Sequence, residues 1–426
     1  MRILWLKSDL LLPLDKGGRL RTWHLMRHLA RRHDITYLSF AEGAADGMHE
    51  VAERVVTVPR SDAAKGTLRF YADAALHLVD PLPYAVGKYR SRQFARTLNE
   101  LLLANRYDLI VCDFLFPSVN LPRTLPCPAV IFTHNVEAEI WRRHAETKTG
   151  LARMLYGTQY ARMLRYERRA LTRFDGVLVV SDADRRTFAS LYPDAIRQDV
   201  HVVSTGVDTG FFSPAPSAAD GRGLVFTGSM DWLPNEDAVT YFCREILPRV
   251  RADEPDATLT IVGRAPTPAV KRLAADHGVT VTGRVDDVRP YMRDAAVYIV
   301  PLRIGGGTRL KIFEAMAMGK AVVSTTVGAE GLPVNNGEHL LIADEPHLFA
   351  RAVVRLFRDV ERRRTIAAAA QKLVVERYDW SAVAGELEHA LVRFASGQPS
   401  PAAAQAAATS PTGGRRWGLV LPQGDE

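Results

Sequence analysis

The stretch Val297-Tyr298-Ile299-Val300-Pro301-Leu302-Arg303-Ile304-Gly305-Gly306-Gly307-Thr308-Arg309-Leu310-Lys311-Ile312-Phe313-Glu314 decides how the chain is to be read. The apolar run 297–300 reads as a buried strand. Three glycines follow, and then Leu310, Phe313, Met316 and Ala317 recur at helical spacing. In an open α/β sheet, ligands collect where strands end and helices begin. Glycines let backbone amides close on an anion, and the free amides and dipole of a helix's first turn favour a diphosphate there. Arg309 and Lys311 oppose that dipole unless an anion is bound, so with Arg303 they are candidates for holding phosphate. Glu314, one turn further on, is placed to accept hydrogen bonds from ribose hydroxyls. On these residues alone, a glycine-rich loop with a surface Lys–Glu pair fits equally well.

The same pattern recurs on both sides of this segment. Short β-branched runs at 2–6, 35–40, 55–58, 109–112, 129–133, 176–180 and 200–203 alternate with helical patterns such as 21–32. A turn-rich stretch with Gly206, Pro214, Pro216, Gly221 and Gly223 breaks the alternation. It restarts at 224–227, 258–262, 279–282, 297–300 and 321–325, with helices expected over 235–251 and 309–318. Apolar strands separated by helices predict parallel sheets covered on both faces. The expected fold class is therefore α/β, with two Rossmann-like, doubly wound domains at 1–205 and 224–378 joined by a linker at 206–223. An amphipathic helix is expected over 379–395, and the Ala-, Pro-, Ser- and Gln-rich stretch 396–426 reads as a disordered tail.

Composition sets outer limits. The 426 residues are 47% hydrophobic and 24% charged, which is globular composition at a length suited to two domains. Cys112, Cys127 and Cys243 are too scattered for a disulfide framework or a zinc site, so a reducing compartment is expected. The opening apolar run is interrupted by Lys7, Asp9, Pro13 and Asp15, too early for a signal peptide. No run approaches the ~18 apolar residues of a spanning helix, and a cytoplasmic protein is expected. Residues 142–173 hold eight Arg and one Lys against Glu146 and Glu167, a net +7 that equals the charge of the whole chain. Over 160–173, Arg162, Arg165, Arg169 and Arg173 share about a third of a helix circumference. That face suits a solvated surface as well as peripheral contact with an anionic membrane, such as the inner face of the plasma membrane. A nucleic-acid partner is not expected.

Beyond the glycines, Glu314-Ala315-Met316-Ala317-Met318-Gly319-Lys320-Ala321-Val322-Val323 resembles the C-terminal signature of family 4 glycosyltransferases. Gly206-Val207-Asp208 with Phe212 and Pro214, Phe226-Thr227-Gly228-Ser229-Met230-Asp231, Ile261-Val262-Gly263 and Val281-Thr282-Gly283-Arg284-Val285 are similar to further family segments, in the expected order. The likeness covers about residues 1–395. It implies the GT-B fold, in which the two domains face each other across a cleft and the C-terminal helix packs back toward the N-terminal domain. It also implies a nucleotide-sugar donor held by Gly228, Arg284, Val285, Arg303, Gly305, Gly306, Gly307, Thr308, Arg309, Lys311 and Glu314, and transfer with retention of configuration. Two departures matter. Where the family often has a first glutamate, with seven residues between it and Glu314, this chain has Gly306, which argues against a carboxylate nucleophile there. The Arg and Lys that many members carry after the first donor-domain strand are also missing from Met230-Asp231-Trp232-Leu233-Pro234-Asn235.

On the acceptor side, Gly17 and Gly18 follow the first strand, and in similar enzymes this loop faces the cleft. Phe132-Thr133-His134-Asn135 ends another strand, where polar side chains point toward a cleft. The resemblance places a histidine here against the transferring sugar, so His134 joins Lys311 and Glu314 as the expected catalytic set. Glu137 and Glu139 are candidates to bind acceptor hydroxyls, or else acidic residues favoured at a helix start. Asp182-Ala183-Asp184 also suits a helix start, and transfer without metal or cofactor is expected, the leaving diphosphate taking the acceptor's proton. The expected partners are a nucleotide-sugar donor and a glycan or lipid-linked acceptor, in surface polysaccharide or glycolipid synthesis. A nucleotide-sugar epimerase and a non-catalytic nucleotide-sugar binder are the competing readings.

Overall fold

The computed structural model describes residues 1–14, 17–41, 45–60, 67, 80–196, 200–214, 221–304 and 310–398. Gly305, Gly306, Gly307, Thr308 and Arg309, and nearly all of the predicted tail, lie outside the described residues.

Two parallel sheets carry the chain. The first joins β1 (Arg2–Leu6), β2 (Asp34–Ala41), β3 (Arg54–Pro59), β4 (Leu109–Asp113), β5 (Ala129–Phe132), β6 (Gly176–Val179) and β7 (Val200–Val202) in the order β3-β2-β1-β4-β5-β6-β7. The second joins β8 (Gly223–Thr227), β9 (Thr258–Val262), β10 (Thr280–Val281), β11 (Val297–Val300), β12 (Ala321–Ser324) and β13 (Leu341–Ile342) as β10-β9-β8-β11-β12-β13. Strands β4, β5, β6, β11 and β12 are buried at every position, which is why they read as near-continuous apolar runs, with Asp113 and Ser324 as polar residues at the carboxyl ends of β4 and β12. Strand order reverses between β1 and β4 and again between β8 and β11. A crevice therefore opens at the carboxyl ends of those four strands.

The last helix, Trp380–Ala395, belongs to the core of the first sheet. Its Trp380, Leu387, Leu391 and Phe394 pack in one cluster with Trp5, Trp23, Met26 and Phe132. The approach is close enough to require glycine opposite it. A Cβ on Gly176 would lie 2.4 Å from the Phe394 ring, and one on Gly206 would lie 2.6 Å from Trp380. The two chain crossings between the sheets run side by side. Val207 donates its N–H to the Tyr378 carbonyl at 2.7 Å, and Trp380 donates to the Val207 carbonyl at 3.3 Å.

Three local readings need correction. The first helix starts at Gly17 rather than at residue 21, so both glycines form its first turn, where free amides need no intrahelical partner. The helix expected over 235–251 is three segments, Leu233–Tyr241, a π-helical turn Phe242–Ile246 and Leu247–Asp253; Pro248 lacks the N–H that a regular ladder requires. The basic helix runs from Gly150 to Leu171, so Arg173 lies beyond its end. The Arg173 guanidinium donates to the Leu121 and Pro122 carbonyls and anchors a loop instead of extending the basic face. Among the described residues, no helix is long and apolar enough to cross a membrane.

Candidate active site

Adjacent strands β1, β4 and β5 deliver Lys7, Asp113 and His134 to one place, with Lys7 and His134 just past their strand ends. Asp113 is fully buried and accepts four hydrogen bonds: from Lys7 Nζ at 2.9 Å, Thr22 Oγ1 at 2.6 Å, Trp5 Nε1 at 3.1 Å and His134 Nε2 at 2.7 Å. Burial alone would raise its carboxyl, but the Lys7 ammonium, His134 and the hydrogen bonds of His134 and Thr22 hold it well below the usual carboxylate range. An ionised carboxylate only accepts, so the His134 Nε2 carries the proton. Burial, with Lys7 and Arg21 nearby, pushes His134 down to about 4 against the pull of Asp113. The ring is therefore neutral at physiological pH, with Nδ1 left bare as an acceptor.

Phe114 completes the support. Its backbone sits at φ +71°, which costs a non-glycine residue about 1–3 kcal/mol and marks an over-determined position. The ring stacks on His134 with centroids 4.0 Å apart and lies 4.4 Å from Lys7 Nζ. Gly18 makes the space: a Cβ there would come within 3.0 Å of the Phe114 ring and 3.8 Å of His134 Nδ1.

His134, Gly17 and Gly18 line a cleft of about 330 Å³. Across it stand Leu310, the first residue of the helix Leu310–Ala317, and Glu330 with Gly331, so both domains form the walls. Arg21 lines the same space while almost fully buried; burial pushes its guanidinium down to about 9 despite Asp113 and Asp184. It is held by Thr205 Oγ1 at 3.4 Å, the Ser204 carbonyl at 3.3 Å and the Val203 carbonyl.

The other predicted residues fall into distinct settings. Lys311 donates from Nζ to Asn235 Oδ1 at 2.8 Å and sits 4.1 Å over the Phe226 ring, at the end of β8. A Cβ on Gly228 would be 2.8 Å from that ammonium. Gly263 is packed more tightly still, since its Cβ would fall 1.7 Å from the Gly228 carbonyl oxygen. Glu314, half-buried, has its carboxyl pushed up to about 7 by burial, with Lys311 opposing the rise. Lys311 and Glu314 stand one and four residues past Leu310 in the helix that meets the cleft. Arg303 is engaged elsewhere: its guanidinium chelates the Asp237 carboxylate at 2.5 and 3.0 Å and stacks on Tyr241 at 4.3 Å. Arg284 is exposed, while Val285 packs against the second core.

Glu137 does not line the cleft, whereas Glu139 does. Glu137 opens the helix Glu137–Thr147 and is buried beside Glu167, whose oxygens cap that helix by accepting from the N–H groups of Glu137 at 3.0 Å and Ala138 at 3.1 Å. Burial and the Glu167 charge push its carboxyl up to about 8. Glu139 is chelated by Arg142, with contacts from 2.7 to 3.0 Å. Ser181 caps the helix Asp182–Leu191 by accepting from the Asp184 N–H at 3.1 Å, which makes Asp182 and Asp184 helix-start residues. Sequence reasoning missed Lys7, Thr22, Asp113, Phe114 and Asn235. The signal for Lys7 and Asp113 was the one that found His134, a polar residue at the carboxyl end of a buried strand.

Comparison with known proteins agrees with this geometry. Residues 16–211 match the family described as Glycosyltransferase Family 4, and residues 221–359 match Glycosyl transferases group 1. A 44.6 kDa protein of the cps region of Klebsiella pneumoniae is 23% identical over 402 residues, covering 89% of this chain and 96% of that protein. The phosphatidyl-myo-inositol mannosyltransferase of Mycobacterium tuberculosis is 33% identical over 229 residues, half of this chain and 58% of the mannosyltransferase. Among solved structures, HepE of Anabaena in complex with UDP superposes with a TM-score of 0.64 at 17% identity, covering 92% of this chain and all of HepE. Sucrose-phosphate synthase of Thermosynechococcus elongatus gives 0.63 at 16% identity, covering 93% of this chain and all of that enzyme. With two switch-point sheets facing one cleft and both family segments in order, the chain belongs to the family 4 glycosyltransferases of the GT-B fold.

Proposed function

We propose that this glycosyltransferase moves a sugar from a nucleoside-diphosphate sugar to a hydroxyl of a glycan or lipid-linked acceptor, with retention of configuration and without metal or cofactor. The observation that carries this reading is the shared cleft, with neutral His134 and the Gly17–Gly18 turn on one wall and the start of the Leu310–Ala317 helix on the other. The complexes of HepE with UDP and with UDP-glucose support a nucleoside-diphosphate sugar. The name of the mannosyltransferase relative supports a lipid acceptor.

In this reading the leaving diphosphate lies at the start of the Leu310–Ala317 helix. Segment 305–309 supplies amides, Arg309 and Lys311 supply positive charge, and Glu314 accepts from the ribose hydroxyls. Gly228, Arg284 and Val285 flank the nucleotide, and Arg303 reaches it only by releasing Asp237. The acceptor oxygen bonds to the anomeric carbon on the face that the diphosphate leaves. The bond from that carbon to the phosphate oxygen breaks, and the acceptor's proton passes to the departing phosphate. His134 Nδ1 accepts from a sugar hydroxyl and fixes the ring's position, so the protein supplies orientation and charge stabilisation rather than a nucleophile. Peripheral contact with an anionic membrane through the basic helix, on the cytoplasmic face, belongs to the same reading.

The test is a panel of nucleoside-diphosphate sugars, with nucleotide release followed with and without acceptor and the anomeric configuration of products read by NMR. Transfer with retention is expected, and Lys311→Ala and Glu314→Ala should each lower turnover about 100-fold with unchanged circular dichroism. Near-normal turnover in both variants overturns the site. Inversion at sugar C2 without transfer supports the epimerase, and tight binding without turnover the binder.

A further inference from the structure

The helix Gly150–Leu171 packs against Glu137–Thr147 and turns Gln159, Met163, Glu167 and Ala170 inward. At 100° per residue, a separate face beside the buried one carries Leu151, Met154 and Leu155, then Arg162, Arg165 and Arg169, all within an arc of about 100°. No acidic residue falls on this arc. Leu151 is 75% exposed and Met154 65%, the most exposed large apolar residues of this helix, while Arg165 and Arg169 are exposed about 15 Å or more further along. The outward face is thus apolar over its first two turns and cationic after them. The paired helix lines the cleft with Ile140 and Arg143, which are themselves exposed, so the same helix pair carries this face and part of the cleft wall.

Self-association does not suit this face. An antiparallel pair would lay the arginines of one copy on the leucines of the other and bury charge without partners, and a parallel pair would oppose like charges. An anionic lipid surface answers both halves at once, with acyl chains for the apolar residues and headgroup phosphates for the arginines.

We infer that the outward face of Gly150–Leu171 is a docking surface for anionic membrane, in which Leu151, Met154 and Leu155 enter the headgroup–acyl boundary while Arg165 and Arg169 bind phosphates. It rests on the lipid-linked acceptor reading only in giving the cleft a reason to lie near a bilayer. It also shifts the contact from charge alone to insertion at the helix start.

The experiment uses the full chain and vesicles of phosphatidylcholine with or without phosphatidylglycerol. Co-sedimentation should require phosphatidylglycerol. It should weaken at least about tenfold in the triple variant Leu151→Ser, Met154→Ser, Leu155→Ser, and as strongly in Arg165→Glu, Arg169→Glu. A polarity-sensitive dye at Met154→Cys, in a Cys127→Ser background, should shift to the blue on anionic vesicles and be quenched by brominated acyl chains. Binding that ignores lipid charge, survives the serine substitutions or leaves the dye unquenched overturns the proposal. So does a concentration-dependent dimer that the same substitutions abolish. Nucleotide release from the donor, assayed without vesicles, should be unchanged in both variants. If wild-type protein binds vesicles yet releases no nucleotide from any donor, the transferase reading fails and the docking surface stands.

Discussion

Replacing Asp113 with Asn separates the two tasks of that carboxylate, neutralising Lys7 and orienting His134. The shape is kept, but one acceptor oxygen becomes a donor facing Lys7, Thr22, Trp5 or His134, all of which donate to it in the wild type. Lys7 is 1% exposed, so its ammonium is left as a buried charge without its counter-ion. Breaking such a pair costs about 3–5 kcal/mol, against a total stability of roughly 5–15 kcal/mol. In a domain of this size that is a fall in melting temperature of about 10 °C. Adding Lys7→Met removes the stranded charge and should restore about 2 kcal/mol. It does not restore the carboxylate that holds the proton on His134 Nε2, so kcat/KM for transfer should stay about tenfold or more below wild type in the double variant. Urea melts, steady-state kinetics and the ¹⁵N shifts of the His134 ring read the three consequences separately. The reasoning is refuted if the single variant melts with the wild type, or if the double variant regains both stability and turnover with the tautomer unchanged. The pH dependence gives a second check. Because His134 is held at about 4, below its ordinary 6.5, the folded chain binds fewer protons than the unfolded chain between those values. Its contribution to stability is complete above 6.5 and is lost as the pH falls through 4, a slope that His134→Gln should remove.

Glu137, held at about 8 against an ordinary 4.5, has the opposite sign: the folded chain binds the extra proton, so stability falls as pH rises from 4.5 through 8. Glu137→Gln should therefore raise stability at pH 8.5 by about 1–3 kcal/mol in thermal melts, and a variant that is stable but inactive in transfer would return Glu137 to the acceptor site. Gly263→Ala places a methyl 1.7 Å from the Gly228 carbonyl oxygen, so backbone must move; a loss of about 3 kcal/mol in urea melts and weaker nucleotide binding by calorimetry are expected, and wild-type values in both would refute the packing. Phe394→Ala empties a site filled against Gly176 and should cost about 3–5 kcal/mol, with a loss below 1 kcal/mol showing that the last helix is not part of the first domain's core.

What could be read from the residues, and what could not, divides along the distance to a side chain's partner. Strands such as Ala129–Phe132 and Val297–Val300 declare themselves because burial on both faces demands an apolar residue at every position. The cleft residues Gly18 and His134 follow from the next step, that small and polar residues belong at the carboxyl ends of such strands. The same step applies to Lys7 and Asp113, yet Lys7 reads locally as a charge breaking an apolar run. Its counter-ion is 106 residues away, and only the β1–β4 register brings the two together. Glu137 misleads for the same reason: a helix-start glutamate looks solvent-facing until Glu167, 30 residues on, takes over the cap and closes it in. The basic helix shows a different failure. Counting charge over 160–173 finds the arginines but starts too late for Leu151, Met154 and Leu155, which share their face because the helix begins at Gly150. Charge density reports an attraction, whereas the helix boundary decides whether an apolar edge accompanies it. A sequence read by periodicity alone therefore places elements well and sites by halves, because a site is made where strand ends meet and not within any one of them.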